Sequence, residues 1–108
     1  MFIYVNFCIE TLFLYKNDLS GPIPDQLGRL RSLKELQLHK NMFTGTIPDN
    51  IWKNNPDLKL VRLDSNSLIG SIGNSIGNAK LLRDLRLQDN KLTGDLPKSL
   101  FELDRLRE

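Results

Sequence analysis

The sequence predicts an α/β-type repeat solenoid, with short strands from successive units stacked in parallel as one sheet. Three observations predict it. Four Asn/Gly pairs, Asn17/Gly21, Asn41/Gly45, Asn66/Gly70 and Asn90/Gly94, recur at steps of 24, 25 and 24 residues. Each asparagine closes the same apolar frame: Ile9, Leu12 and Leu14; Leu33, Leu36 and Leu38; Leu58, Val61 and Leu63; Leu82, Leu85 and Leu87. Each glycine leads to Ile23, Ile47, Ile72 or Leu96, followed by proline in every copy but the third. A fixed period in this range marks stacked units, each too small to bury its apolar face without its neighbours. A fifth frame begins at Leu103 and Leu106.

The strand opens each unit. Leu36-Gln37-Leu38-His39 alternates with period two, which turns the leucines to one side and the polar residues to the other. Such a strand pairs with the same segment of the next unit, about 4.7–4.9 Å away, and roughly 20 intervening residues supply the crossover that parallel pairing needs. The turn that leaves the strand exposes backbone groups inside the stack. An asparagine amide carries two donors and an acceptor and can bridge successive coils. A leucine there would leave those groups unpaired at about 1–3 kcal/mol each. Asn17, Asn41, Asn66 and Asn90 are therefore read as a structural ladder. The glycine permits a positive φ or close backbone approach, and the proline suits an outer turn because it fixes φ and donates nothing.

Two units depart from the frame. The second has one extra residue, reading Ile51-Trp52-Lys53-Asn54-Asn55-Pro56-Asp57-Leu58, and lacks the expected convex leucine. The third has Ala79 in that column and Gly73 in place of proline, a change that loosens the unfolded chain by about 0.4–1 kcal/mol in effect. The middle of the stack is expected to have the least regular convex side.

The frame LxxLxLxxNxLxGxIP, from Ile9 to Leu106, resembles the leucine-rich repeat, specifically its plant-type class. That class occurs in ectodomains of receptor-like kinases and receptor-like proteins and in polygalacturonase inhibitors. The resemblance implies a curved, twisted right-handed superhelix with a short-stranded parallel sheet on its concave face, and residues 9–108 as the repeat domain. Residues 1–8 are read as the remnant of a preceding repeat or an improvised cap. The family's paired-cysteine cap, signal peptide, membrane span and kinase domain do not occur in this sequence, which gives the expectation of a fragment or truncated gene product. The resemblance also implies an extracellular or cell-surface location through a membrane-anchored parent.

Composition bounds the function classes. The 108 residues are 40% hydrophobic and 26% charged, enough apolar material for one domain. A net charge of +2, with acids interspersed among the bases, gives no concentrated basic patch, so no nucleic-acid partner is expected. Cys8 is the single cysteine, which excludes an intrachain disulfide. No stretch approaches the roughly 20 apolar residues that span a bilayer, so this chain is not expected to insert into a membrane. His39 is the single histidine and has no cysteine or second histidine to form a zinc site, so no metal or cofactor is expected. No carboxylate pair forms a catalytic motif, and an open solenoid excludes water poorly. The chain is not read as an enzyme.

Specificity falls to residues that the frame does not dictate. The strand positions facing the concave side are Thr11, Glu35, Leu60 and Asp84 in one column, and Phe13, Gln37, Arg62 and Arg86 in the next. A third holds Tyr15, His39, Asp64 and Gln88, with Lys16, Lys40, Ser65 and Asp89 at the rim. From these, Phe13, Tyr15, Glu35, Gln37, His39, Arg62, Asp64, Asp84, Arg86 and Gln88 form the candidate ligand-binding set. Phe13 and Tyr15 either cover the N-terminal end, against Phe2, Tyr4 or Phe7, or anchor a ligand as exposed aromatics do. Arg62 and Arg86 either clamp an anion bidentately or form a solvated ion lattice with Asp64 and Asp84 that contributes little. His39 is expected to be a solvated contact residue. Trp52 either covers the irregular turn of the second unit or stacks on a ligand.

These readings converge on a noncatalytic module that binds a protein or peptide along the concave sheet, receptor-like by resemblance. The alternatives are an inhibitor of a secreted polysaccharide-degrading enzyme, or a fragment with no independent role. Uncapped ends favour self-association, because terminal repeats need polar caps for solubility.

Overall fold

A computed structural model describes residues 9–107. The expected cap over residues 1–8, the contacts of Phe2, Tyr4 and Phe7, and the state of Cys8 lie outside the described residues. Four short strands form the main sheet: β1 (Thr11–Phe13), β3 (Glu35–Gln37), β5 (Leu60–Arg62) and β7 (Asp84–Arg86), in the order β1-β3-β5-β7 and all parallel. Leu12, Leu36, Val61 and Leu85 stand in register across it. A second ladder runs along the flank, where β2 (Ser20–Pro22) pairs with β4 (Met42–Thr44) and β6 (Ile69–Gly70) with β8 (Lys91–Leu92). Backbone bonds from Ser67 N to Phe43 O (2.8 Å) and from Ile69 N to Gly45 O (2.9 Å) join these two halves.

The leucine columns fill the space between sheet and convex side. Leu33, Leu36, Leu38, Leu58, Val61, Leu63, Leu68 and Leu82 are at most 1% exposed. Each such side chain contributes about 1.5–3 kcal/mol by leaving water. No single coil can provide this burial, since each leucine is covered by the coil above it.

The asparagine ladder has an explicit geometry. Asn41 Nδ2 donates to Leu14 O of the preceding coil at 2.8 Å and to Leu38 O of its own coil at 3.1 Å, while its Oδ1 accepts from Leu19 N at 3.1 Å. Asn66 repeats the set with Leu38 O, Leu63 O and Phe43 N, and Asn90 with Leu63 O, Leu87 O and Leu68 N. Among the described residues, Asn17 bonds within its own turn, to Leu14 O and Tyr15 O.

The frame glycines Gly21, Gly45, Gly70 and Gly94 all take positive φ, between 73° and 82°. A second positive-φ column was not legible in the residue types. Lys16, Lys40, Ser65 and Asp89, each just before its asparagine, sit at φ 56–59°. The chain must reverse there to aim the amide into the stack, and the ladder holds these residues in a conformation that costs an L-residue about 1–2 kcal/mol.

On the convex side, the first, third and fourth units make five-residue 3-10 turns, Asp25–Arg29, Asn74–Asn78 and Lys98–Glu102. The second makes an α-helical turn, α1 (Asn50–Asn54), in which Lys53 N reaches back to Asp49 O at 3.1 Å. The inserted residue is absorbed by this widening. Asn55 then takes the leucine column: Leu58 N donates to Asn55 O as Leu33 N does to Leu30 O and Leu82 N to Ala79 O. It is fully buried and donates to Ile51 O at 3.1 Å and Leu27 O at 3.4 Å, with Oδ1 unpaired among the described residues. The irregularity is thus confined to the second unit. The third unit, also expected to be irregular, keeps the regular turn, because Gly73 adopts φ −80° and ψ 164°, close to Pro24 and Pro97.

Candidate functional site

The strand registers place the candidate residues on one face. Phe13, Gln37, Arg62 and Arg86 are consecutive partners across β1, β3, β5 and β7. Two residues on, backbone bonds from Lys16 N to His39 O (3.0 Å), Lys40 N to Asp64 O (3.1 Å) and Ser65 N to Gln88 O (3.0 Å) continue the ladder. They align Tyr15, His39, Asp64 and Gln88 as the adjacent column.

Phe13 and Tyr15 are exposed, at 48% and 40%, with ring centroids 6.3 Å apart and planes tilted by 52°. Tyr15 in turn stacks on His39 of the next coil, 4.7 Å between centroids and 8° between planes. This corrects the expectation for His39. It is 8% exposed, a buried residue rather than a solvated contact, because Tyr15 covers its ring. Asp64 is also buried, at 9%. His39 Nδ1, Arg62 Nε and Asp64 Oδ1 are shielded from solvent and have no hydrogen-bond partner among the described residues. Burial holds the His39 pKa below its ordinary 6.5; Asp64 pulls it upward, whereas Arg62, Lys40 and Lys16 push it further down. His39 is therefore neutral at neutral pH.

The two arginines share one internal carboxylate. Asp84 Oδ1 lies 3.3 Å from Arg86 Nε, and Asp84 Oδ2 lies 3.7 Å from an Arg62 guanidinium nitrogen. Asp64 takes no part in this trio. All three members are partly exposed, so the trio contributes little to stability. An open-sided basin of about 570 Å³ adjoins it, lined by Leu60, Arg83, Asp84, Arg86, Gln88 and Arg107. Glu35 and Gln37 are half-buried and Gln88 is exposed. Trp52 is 1% exposed and belongs to the core, packed within the widened turn of the second unit, with no ring face left open for stacking. Among the described residues no cluster of side chains could hold a metal ion, and no helix is long and apolar enough to cross a membrane.

The family model for the Leucine Rich Repeat matches residues 8–30, 32–54 and 81–103, more than half of the chain. The chain belongs to the leucine-rich repeat family. The repeat it does not match, the third, is the one with Gly73 and Ala79. Among solved structures, this leucine-rich repeat chain is similar to the BIR3–SERK2 complex from Arabidopsis thaliana, at 44% identity and a TM-score of 0.84, covering 89% of this chain and 51% of that one. It is similar to the plant peptide hormone receptor RGFR1, solved in complex with RGF2, at 38% identity and a TM-score of 0.91, covering 94% and 16%. It is also similar to the Arabidopsis receptor kinase HAESA, solved with the peptide hormone IDA and the co-receptor SERK1, at 36% identity and a TM-score of 0.89, covering 94% and 17%. The leucine-rich repeat chain thus spans about half of the first neighbour and about a sixth of the other two. No curated protein matches it closely enough to count as a relative.

Proposed function

We propose that this chain is a noncatalytic, receptor-like recognition module that binds a protein or peptide ligand along its concave sheet at the cell surface. One observation carries the reading. The frame leucines beneath β3 and β5 are fully buried, yet Phe13 and Tyr15 stand exposed at the β1 end of the same sheet, with Arg62, Asp84 and Arg86 two and three strands further along it. Exposed aromatics at one end of a sheet and oriented charge at the other provide anchoring area and register for a ligand crossing the strands. The neighbours solved with peptide hormones support the choice of ligand class. An inhibitor of a polysaccharide-degrading enzyme would use the same face, and no residue favours that role.

The test is selection of a displayed random-peptide library on the folded chain. Selected peptides are expected to lose at least about tenfold in affinity, the loss of one anchoring contact, on Phe13→Ala/Tyr15→Ala or on Arg62→Glu/Arg86→Glu. Equal binding to correctly folded variants would remove the concave face from the proposal. Self-association belongs to the same proposal at another surface. Leu96 and Phe101 of the fourth coil are 56% and 75% exposed, and Phe101→Ser is expected to shift any sedimenting dimer of this chain toward monomer.

A further inference from the structure

We infer that the edge of the main sheet where its strands begin is a second interaction surface, a ladder of cations that takes a segment of a protein partner combining acidic and apolar side chains. Lys34, Lys59 and Arg83 immediately precede β3, β5 and β7, and Arg107 continues their column. Backbone bonds stack the four directly. Lys59 N donates to Lys34 O at 2.8 Å, Arg83 N to Lys59 O at 2.9 Å and Arg107 N to Arg83 O at 2.9 Å. Each member lies one repeat from the next in the chain, so charges that are interspersed in the sequence gather into a column only in the fold.

The stacking has an electrostatic consequence. Successive coils are about 4.7–4.9 Å apart, and like charges directly opposite on neighbouring strands are destabilising. The column holds one counter-charge, at its first position, where Glu10 Oε1 lies 3.3 Å from Lys34 Nζ. Among the described residues, Lys59, Arg83 and Arg107 form no ion pair, and the Asp84 carboxylate is already taken by Arg62 and Arg86. Arg83 and Arg107 are exposed and Lys59 is half-buried. Three cations in register without a carboxylate attract an external anion, and the arginine forks fit carboxylates bidentately.

The surface beside the column selects the class of anion. An open-sided basin of about 340 Å³ is lined by Lys59, Arg83, Arg105 and Arg107 around the half-buried Leu81 and Leu106. Asp104 is its single carboxylate. An apolar floor within a basic rim matches a peptide whose acidic side chains flank a leucine-like one. The lining has no aromatic ring on which the bases of a single-stranded nucleic acid would stack. Its leucines also offer no hydrogen bond to the hydroxyls of an acidic sugar.

The test is fluorescence anisotropy of the folded chain with labelled probes of equal charge: a peptide of Glu-Glu-Leu repeats, a polyuronate and single-stranded DNA. The peptide is expected to bind most tightly, and to weaken as salt is raised from about 0.05 M to about 0.5 M, which shortens the screening length. A Glu-Glu-Ser peptide is expected to bind more weakly and a Gln-Gln-Leu peptide not at all. Lys59→Glu/Arg83→Glu is expected to lose at least about tenfold in affinity, the loss of one charge-assisted contact. If that variant does not fold, Lys59→Gln/Arg83→Gln carries the same expectation. Absence of peptide binding at low salt would overturn the inference, as would equal affinity in the folded variant or for the serine peptide. Tighter binding of the polyuronate or the DNA would overturn it too, by assigning the ladder to another class of anion. The column shares no residue with the concave binding set, so the two proposals fail separately.

Discussion

The Asn66 side-chain amide donates to the Leu38 carbonyl at 3.0 Å, across 28 residues of sequence and from one coil to the coil before it. The same side chain accepts from Phe43 N at 3.0 Å. Asn66→Ala therefore orphans backbone groups on two coils and is expected to cost at least about 2 kcal/mol, from about 1–3 kcal/mol per unpaired buried group. Asn17→Ala is expected to cost less than about 1 kcal/mol, because its bonds among the described residues are exposed and stay within its own turn. Urea denaturation of both variants checks the contrast, and equal losses would refute the bridging role.

Lys40 holds φ 58° one residue before Asn41. Replacing it by glycine removes a left-handed penalty of about 1–2 kcal/mol and adds about 0.4–1 kcal/mol of unfolded-state freedom. Lys40→Gly is expected to raise stability by roughly 0.5 kcal/mol, the difference of those terms. A lower midpoint in urea would show that the rim lysine makes compensating contacts.

Gly73 sits where the other units carry proline, and a Cβ there would lie 2.7 Å from Asp49 Oδ1. Asp49 is in turn bound by Ser75 Oγ at 2.9 Å. The backbone accepts proline, but the carboxylate occupies its space. Gly73→Pro is expected to stabilise by about 0.4–1 kcal/mol in an Asp49→Ala background and by less in the wild type. Thermal melts of the double-mutant cycle measure this coupling, and a gain of the same size in both backgrounds would exclude it.

Folding depresses the His39 pKa below its unfolded value near 6.5. The unfolded chain then binds more protons than the folded one between the two pKa values, so stability rises with pH across that window. The contribution is complete above 6.5, falls as pH drops through 6.5, and levels off below the folded pKa. His39→Gln is expected to flatten this part of the stability profile, measured as Tm against pH. A wild-type Tm that rises as pH is lowered through that window, and loses the rise in His39→Gln, would contradict the depressed pKa.

The two regions of the molecule were unequally legible. The leucine columns, the asparagine ladder and the parallel order of β1, β3, β5 and β7 follow from residue type and spacing. The reason is physical: a unit that cannot bury its own leucines must stack, and an asparagine repeated at the same step can bridge its own coil to the adjoining one. The period also located the insertion in the second unit. What the insertion does was decided by tertiary packing, which widened a 3-10 turn into α1, buried Trp52 and drew Asn55 into a leucine position.

The concave face was legible as a set of positions and not as a set of states. Spacing placed His39 and Asp64 on the sheet surface, where side chains are ordinarily wet. Whether they are wet depends on what the neighbouring coils put beside them, and Tyr15, a coil away from His39, covers its ring. The same holds for Asp84, which spacing put near two arginines and which only the folded geometry shows shared between them. The sequence by itself determined the repeat, the frame and which residues are free of it. The tertiary structure alone decided the exposure, pairing and charge of those free residues, because each depends on contacts between coils about 24 residues apart in the chain.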